Sequence, residues 1–287
     1  PNFDIEYYTK NNKFLNTFDI NNEDMIKFIK HHWYLSGQYN PQMKFKYVLK
    51  KYENIILNLK YNFIEYNKNK KNTLLFIDDR YDPIFLYLLR IFLYSVDETW
   101  NITVFTKEEN KIFFQNDFDK LKINGKINII KDNLKNAHEY SNLLMKPSFW
   151  NSIKEENCLI FQYDSFCMGK FNPIFLNYNY IGAQWPHNPC FDKKIKIGNG
   201  GTSFRKVRIM EKICNKYFDQ TYNYIEDIFF SEKLYIDNLL NCTVEIADMF
   251  SFENIFNDNS IYAHQIYNTI ELKEIDNFMY NKLIKMN

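Results

Sequence analysis

Four short apolar runs restrict the fold of this chain more than any other feature: 73–77 (TLLFI), 102–105 (ITVF), 126–130 (KINII) and 158–161 (CLIF). Each has the length of a strand, and the gaps between them are long enough for a helix and its connections. Residues 84–95 carry a helical pattern with Pro83 at its first turn, and a further helix is predicted around 149–153. Strands alternating with helices in this way predict βαβ units: an α/β, Rossmann-like fold with a mainly parallel central sheet flanked by helices. Ligands of such sheets bind beyond the carboxyl ends of the strands. That rule selects 78–82 (DDRYD) and 162–165 (QYDS).

Before the first strand, residues 41–66 place apolar side chains at helical spacing, and the polar run 67–72 (NKNKKN) reads as a linker. The chain is therefore expected to divide into a helical N-terminal region, 1–70, and a catalytic-type α/β domain, 71–287. His31, His32 and Trp33 read as ordinary surface or packing residues, because adjacent helical positions point in different directions.

Charge and cysteine content exclude several classes. Thirty-six basic residues face 35 acidic ones for a net charge of +1, with no concentrated basic face, so no nucleic-acid partner is expected. The five cysteines are scattered, odd in number and without a Cys-x-x-Cys pair, which predicts free thiols in a reducing, cytoplasmic compartment. No apolar run reaches the roughly 20 residues of a membrane-spanning helix. The chain opens at Pro1 and is expected to be a piece of a longer, multidomain protein. Aromatic residues make up 18%, with 27 Phe and 22 Tyr, the bias of an AT-rich viral or microbial genome. Aromatic clusters such as 178–185, with Trp185, therefore serve core packing as readily as stacking on a sugar face.

Glycine is scarce, seven in all, yet three fall in Gly198-Asn199-Gly200-Gly201. A hairpin turn needs one or two; a third favours close approach of the backbone to something bulky and polar. Three other places carry chemistry. Asp164 follows an apolar strand, where carboxylates either cap a turn or hold Mg²⁺ or Mn²⁺ together with substrate phosphates. Glu226-Asp227 opens a helix, a position that favours acidic residues on electrostatic grounds alone. His264 stands alone among aromatics, and by itself reads as a packed residue.

The order of these elements resembles the motif order of GT-A glycosyltransferases. More closely, the segments LLFIDDRYDPIFLYLLR, WNITVF, CLIFQYDSF, YIGAQW, GNGGTSFR, EDIFF and FSFEN, followed by His264, resemble the DUF5672 family of glycosyltransferase-like proteins over about 73–267. The resemblance implies a GT-A fold and transfer of a sugar from a nucleoside-diphosphate donor, UDP-linked by analogy, to a hydroxyl acceptor on a glycan or glycoprotein. Gln162-Tyr163-Asp164 then occupies the place of an Asp-x-Asp motif, with Gln162 where the first carboxylate would stand. Asp164 and His264 would hold a divalent metal, Mn²⁺ or Mg²⁺. Asp79 and Arg80 would hold the nucleotide, and Gly198, Asn199, Gly200 and Gly201 would form a loop lining the donor site. Arg80 or Arg205 would meet phosphate oxygens. Asp227 would be the base of an inverting reaction, with Glu226 orienting the acceptor. The other readings are a nucleotidyltransferase of similar fold and a GT-A-like binding domain without turnover.

Overall fold

A computed structural model describes residues 40–287 except 63, 188 and 220–223, and within the first 39 only residues 5, 9, 23, 25–27 and 29. The His31-His32-Trp33 segment lies outside the described residues. Helices α1 (Pro41–Lys51) and α2 (Glu53–Asn58) lead to strand β1 (Asn72–Ile77), helix α3 (Phe85–Ser95) and strand β2 (Trp100–Thr106). Helix α4 (Lys111–Lys120), strand β3 (Lys126–Ile129), helices α5 (Ala137–Met145) and α6 (Pro147–Ser152) and strand β4 (Asn157–Phe161) follow. The remainder comprises β5 (Ser165–Cys167), β6 (Tyr180–Gln184), β7 (Ile197–Lys206), α7 (Val207–Tyr217), α8 (Glu226–Ile236), α9 (Val244–Phe250), β8 (Ser251–Phe252), β9 (Tyr262–His264) and α10 (Ile275–Met286).

The main sheet runs β3-β2-β1-β4-β7-β6. Strands β1 to β4 pair in parallel, β7 lies antiparallel to β4, and β6 lies antiparallel to β7. All but β7 thus point the same way, the mainly parallel α/β sheet that the strand–helix alternation predicts. Its central strands are buried on both faces, which is why they read as unbroken apolar runs. The two-residue period decides which core each side chain joins. Leu74 and Phe76 of β1, Ile102 and Val104 of β2, and Leu159 and Phe161 of β4 enter one cluster. Leu75, Ile77, Phe105, Cys158 and Ile160 enter the cluster on the opposite face.

Helices α1 and α2 share the first cluster, through Phe45, Val48, Leu49 and Ile56, as does α10 through Ile275, Met279 and Leu283. These helices therefore pack on the sheet's own core. The helical spacing of 41–66 does not hold to its end: α2 stops at Asn58, and Leu59 turns to extended backbone with ψ 130°. Leu59 and Ile64 are still buried, but from a non-helical segment. Helix α3 begins at Phe85, with Pro83 ahead of its N-cap Ile84.

A small second sheet, β5-β9-β8, stands beside the main one. Its strands are short, and they control the position of Asp164 and His264. Among the described residues no helix is long and apolar enough to cross a membrane, and all five cysteines are free.

Phe161 is fully buried, with its ring centroid 4.3 Å from that of Phe92 and 5.2 Å from that of Phe76. Phe161→Ala is expected to cost about 3–5 kcal/mol through lost burial and the cavity left behind. Urea denaturation checks this; a loss below about 1 kcal/mol would mean that this cluster does not anchor β4.

Candidate active site

The strand order places a topological switch between β1 and β4: the chain leaves β1 towards β2 and returns on the other side. A crevice opens at such a switch beyond the strand ends. Here it is a cleft of about 600 Å³, lined by Ile77 and Asp78 at the end of β1, Leu134 to Ala137 leading into α5, and Gln162 to Asp164 after β4. Helix α1 supplies a further wall through Gln42, Phe45 and Lys46.

Register pairing builds the deep end of the cleft. Ser165 of β5 faces His264 of β9, and the Gln265 amide donates to the Asp164 carbonyl at 2.9 Å. Gln265 has φ 45° and ψ 53°, left-handed backbone that few non-glycine residues adopt. That turn lets its Nε2 donate to Asp164 Oδ2 at 3.1 Å, while the Tyr267 hydroxyl donates to the same oxygen at 3.2 Å. Asp164 Oδ1 is left facing His264 Nε2 at 2.9 Å. On the other side of the ring, His264 Nδ1 meets Glu253 Oε2 at 2.8 Å.

Although Nε2 is so near Asp164, the contact is not aligned as a hydrogen bond. Two donor atoms at this separation, out of line for a hydrogen bond, fit adjacent corners of an octahedral ion. Bonds of roughly 2.0–2.1 Å at a right angle place ligand atoms about 2.9 Å apart. Among the described residues there is no cluster of three or more His, Cys, Asp or Glu able to hold a metal. A cation here would take its remaining ligands from substrate phosphates and water.

Electrostatics follow the same geometry. Burial disfavours charge on the His264 ring, but the carboxylates of Asp164 and Glu253 outweigh it and push the imidazole up to about 10. Burial likewise opposes ionisation of Asp164, yet His264 and the Gln265 amide draw it down to about 2.

The glycine cluster lies in strand β7, not in the expected loop. It extends beyond the last β4 pairing, Ile160 with Ser203, over the carboxyl ends of the parallel strands. The bulky polar groups it admits are the protein's own. A Cβ on Gly201 would stand 2.1 Å from the His264 ring, and one on Gly198, at φ 139°, would stand 1.9 Å from Ser231 Oγ. A Cβ on Gly200 would stand 2.7 Å from Glu226 Oε1 and 3.1 Å from Asp227 Cβ. Because successive strand residues face opposite ways, His264 packs on one side of this strand and Glu226-Asp227 on the other. Asn199 Oδ1 accepts from the Gly201 amide at 3.4 Å.

Asp227 is half-buried. Burial, and then the charge of Glu226, push its carboxyl up to about 7 against the pull of the Ile228 amide and Arg205. Such a group is balanced between its two protonation states near neutrality.

Other expectations need correction. Arg205, expected at phosphate, is fully buried and grips Glu226 with both forks, Nη1 to Oε2 at 2.6 Å and Nη2 to Oε1 at 3.0 Å. Glu226, expected to orient the acceptor, is committed to that pair and is itself buried. Asp79, expected at the nucleotide, accepts from the Leu134 amide at 2.7 Å and so holds the loop before α5. Its neighbour Asp78 lines the cleft instead, holding Arg80 through Nε and Nη2 at 3.0 Å each. Trp185 packs with Cys190 and Ile195. Arg80, Gln162 and Asp164 do line the cleft.

Sequence reasoning missed four contributors. Lys46, paired with Asp82 at 2.5 Å, lines the cleft beside Lys135; both are hidden in a Lys-rich background. Tyr140 also lines it, with burial raising its phenol in the field of Glu226 and Arg205. Glu253 lies within the FSFEN segment, for which the resemblance implies no role.

A family model described as a protein of unknown function, DUF5672, matches residues 125–265. No curated protein matches the sequence. Among solved structures, the apo form of the glycosyltransferase GlyE from Streptococcus pneumoniae TIGR4 aligns with TM-score 0.44 and 12% identity, covering 74% of this chain and 64% of that one. S. aureus TarS aligns with TM-score 0.44 and 13% identity, covering 74% and 43%. The 4-diphosphocytidyl-2C-methyl-D-erythritol synthase from Anaerococcus prevotii aligns with TM-score 0.36 and 8% identity, covering 62% and 83%. The chain spans less than two thirds of the length of the GlyE and TarS structures.

Arg205→Ala is expected to cost about 3–5 kcal/mol, because it leaves the Glu226 carboxylate buried without its cation. Replacing both residues together by Met and Leu is expected to recover most of that loss. Urea unfolding of the single and double variants checks it; equal losses would show that the pair itself is not what matters. This chain contains a DUF5672 region, residues 125–265, where its motifs from Cys158 to His264 fall.

Proposed function

We propose that this protein is a metal-assisted glycosyltransferase that moves a sugar from a nucleoside-diphosphate donor to a hydroxyl acceptor with inversion. The observation that carries the reading is the close pairing of His264 Nε2 with Asp164 Oδ1, the carboxylate that lines the switch-point cleft. Asp164 and His264 would hold the divalent cation. Bound there, Mn²⁺ or Mg²⁺ would neutralise charge developing on the leaving diphosphate without any proton transfer.

The chain's own residues do the rest. Lys46, Arg80 and Lys135 give the cleft cationic side chains for phosphate oxygens, balanced by Asp78, Asp82 and Asp164. Gln265 and Tyr267 fix the Asp164 carboxylate, so that Oδ1 stays turned towards His264. Asp227 is the base: its carboxylate takes the acceptor hydroxyl proton, a kind of help worth about 10²–10⁴-fold. Arg205 and Glu226 act through it. Their ion pair is neutral as a unit, yet the Glu226 charge nearest Asp227 helps hold that carboxyl near neutrality.

The pH dependence follows in sign. The base works ionised, and its folded value is raised to about 7. Turnover is therefore expected to be level above about pH 8 and to fall roughly tenfold per unit below about pH 6. Asp227→Asn is expected to cut transfer by at least about 100-fold while leaving donor affinity within about threefold. Release of nucleoside diphosphate from sugar nucleotides with Mn²⁺ measures the rate, and calorimetry the affinity. Equal loss of both would make Asp227 a structural residue. Release of pyrophosphate would replace this reading with nucleotidyl transfer.

A further inference from the structure

Glu253 is buried, 7% exposed, and follows directly after β8, the strand that pairs in parallel with β9. The register Ser251 with Tyr262 and Phe252 with Ala263 carries position 253 alongside position 264. Its Oε2 reaches His264 Nδ1 at 2.8 Å, and its Oε1 accepts from Asn254 Nδ2 at 3.4 Å. A buried carboxylate is costly to desolvate and is kept where its charge meets a partner. Here the partner is the nitrogen turned away from Asp164. When Nδ1–H donates to Glu253, one ring proton is fixed on that side, and Nε2 is the nitrogen left for a cation to take in place of a proton. Nε2 faces Asp164 Oδ1 at 2.9 Å.

Gly201 completes the restraint. The imidazole lies against its bare Cα, leaving no room for a Cβ, so the ring cannot swing towards β7. The ring is thus held by a hydrogen bond at one edge and by backbone at one face.

Resting on the metal reading above, we propose that Glu253 is the positioning residue of the metal site: it fixes the His264 tautomer and ring orientation so that Nε2 is presented, with Asp164 Oδ1, to a divalent cation. It touches neither substrate nor metal and acts only through His264. The same reach of a carboxylate to the far nitrogen of a metal-bound imidazole raises ligand basicity, and its loss typically costs about 10–100-fold in metal affinity.

The test uses the full chain and Mn²⁺ alone, followed by calorimetry and by electron paramagnetic resonance of the bound ion, including its ¹⁴N modulation. Glu253→Leu keeps the volume and removes the acceptor; Glu253→Gln keeps an acceptor without the charge. Wild type is expected to bind Mn²⁺ with an imidazole ¹⁴N signal. Glu253→Leu is expected to bind about 10–100-fold more weakly with that signal lost, and Glu253→Gln to fall between the two with the signal retained. Circular dichroism confirms folding, and if the Leu variant does not fold, a several-fold loss in the Gln variant alone still carries the result. Wild-type affinity and unchanged ¹⁴N modulation in a folded Glu253 variant would overturn the role of Glu253 and leave the metal site standing. Failure of wild type to bind Mn²⁺ with an imidazole signal would overturn the metal reading and this inference with it.

Discussion

The meeting of Asp164 with His264 is the constraint on which the rest of the site depends. Their carboxylate and imidazole stand about 100 residues apart in the sequence and are joined because β5 and β9 pair in a small sheet beside the main one. That sheet is anchored to β7 by side chains: Thr202 Oγ1 donates to Ser165 Oγ at 2.8 Å, and Ser165 Oγ also accepts the Gln162 amide at 2.8 Å. A hydroxyl relay of this kind ties the residue before Tyr163-Asp164 to the glycine strand. The carboxylate is thereby held at the end of β4, where the switch in strand order opens the cleft.

Strand β7 joins the two halves of the proposed chemistry. Its glycines admit His264 against one face and Glu226-Asp227 against the other, so a thin piece of backbone separates the proposed metal pair from the proposed base. Side chains at 200 and 201 would push both groups outwards. The buried Arg205–Glu226 pair then fixes the helix start that carries Asp227. Buried ion pairs of this kind are weak contributors to stability but strong constraints once formed, because removal of either partner strands the other's charge. Rigidity here comes from packing against bare backbone as much as from hydrogen bonds.

Much of the fold was legible because a two-faced parallel sheet demands continuous apolar runs, and 73–77, 102–105, 126–130 and 158–161 all lie on its strands, 126–130 running one residue past β3. The end of α2 was not, since Leu59 and Phe63 continue the helical spacing while Leu59 is buried from extended backbone. The glycine cluster was read for its tolerance of close approach, which is its role, but as a loop, because sequence does not reveal that the close neighbours are side chains from β9 and α8. Asp78 and Asp79 are adjacent carboxylates on opposite sides of the backbone, and only the register decides which one faces the cleft. Arg205 carries a guanidinium suited to phosphate oxygens, and its sequence neighbours do not reveal that Glu226, 21 residues on, takes both forks instead. Glu253 and Lys46 carried no local signal of their own, one being a single acid among aromatics and the other a lysine among many.

The most direct test of the central claim is a crystal grown with Mn²⁺ and a nucleoside diphosphate, with anomalous scattering recorded at the manganese edge. The account predicts one strong peak in contact with both Asp164 Oδ1 and His264 Nε2, and diphosphate oxygens completing its coordination within the cleft. A peak elsewhere, or a bound nucleotide with no metal between those two side chains, would contradict it.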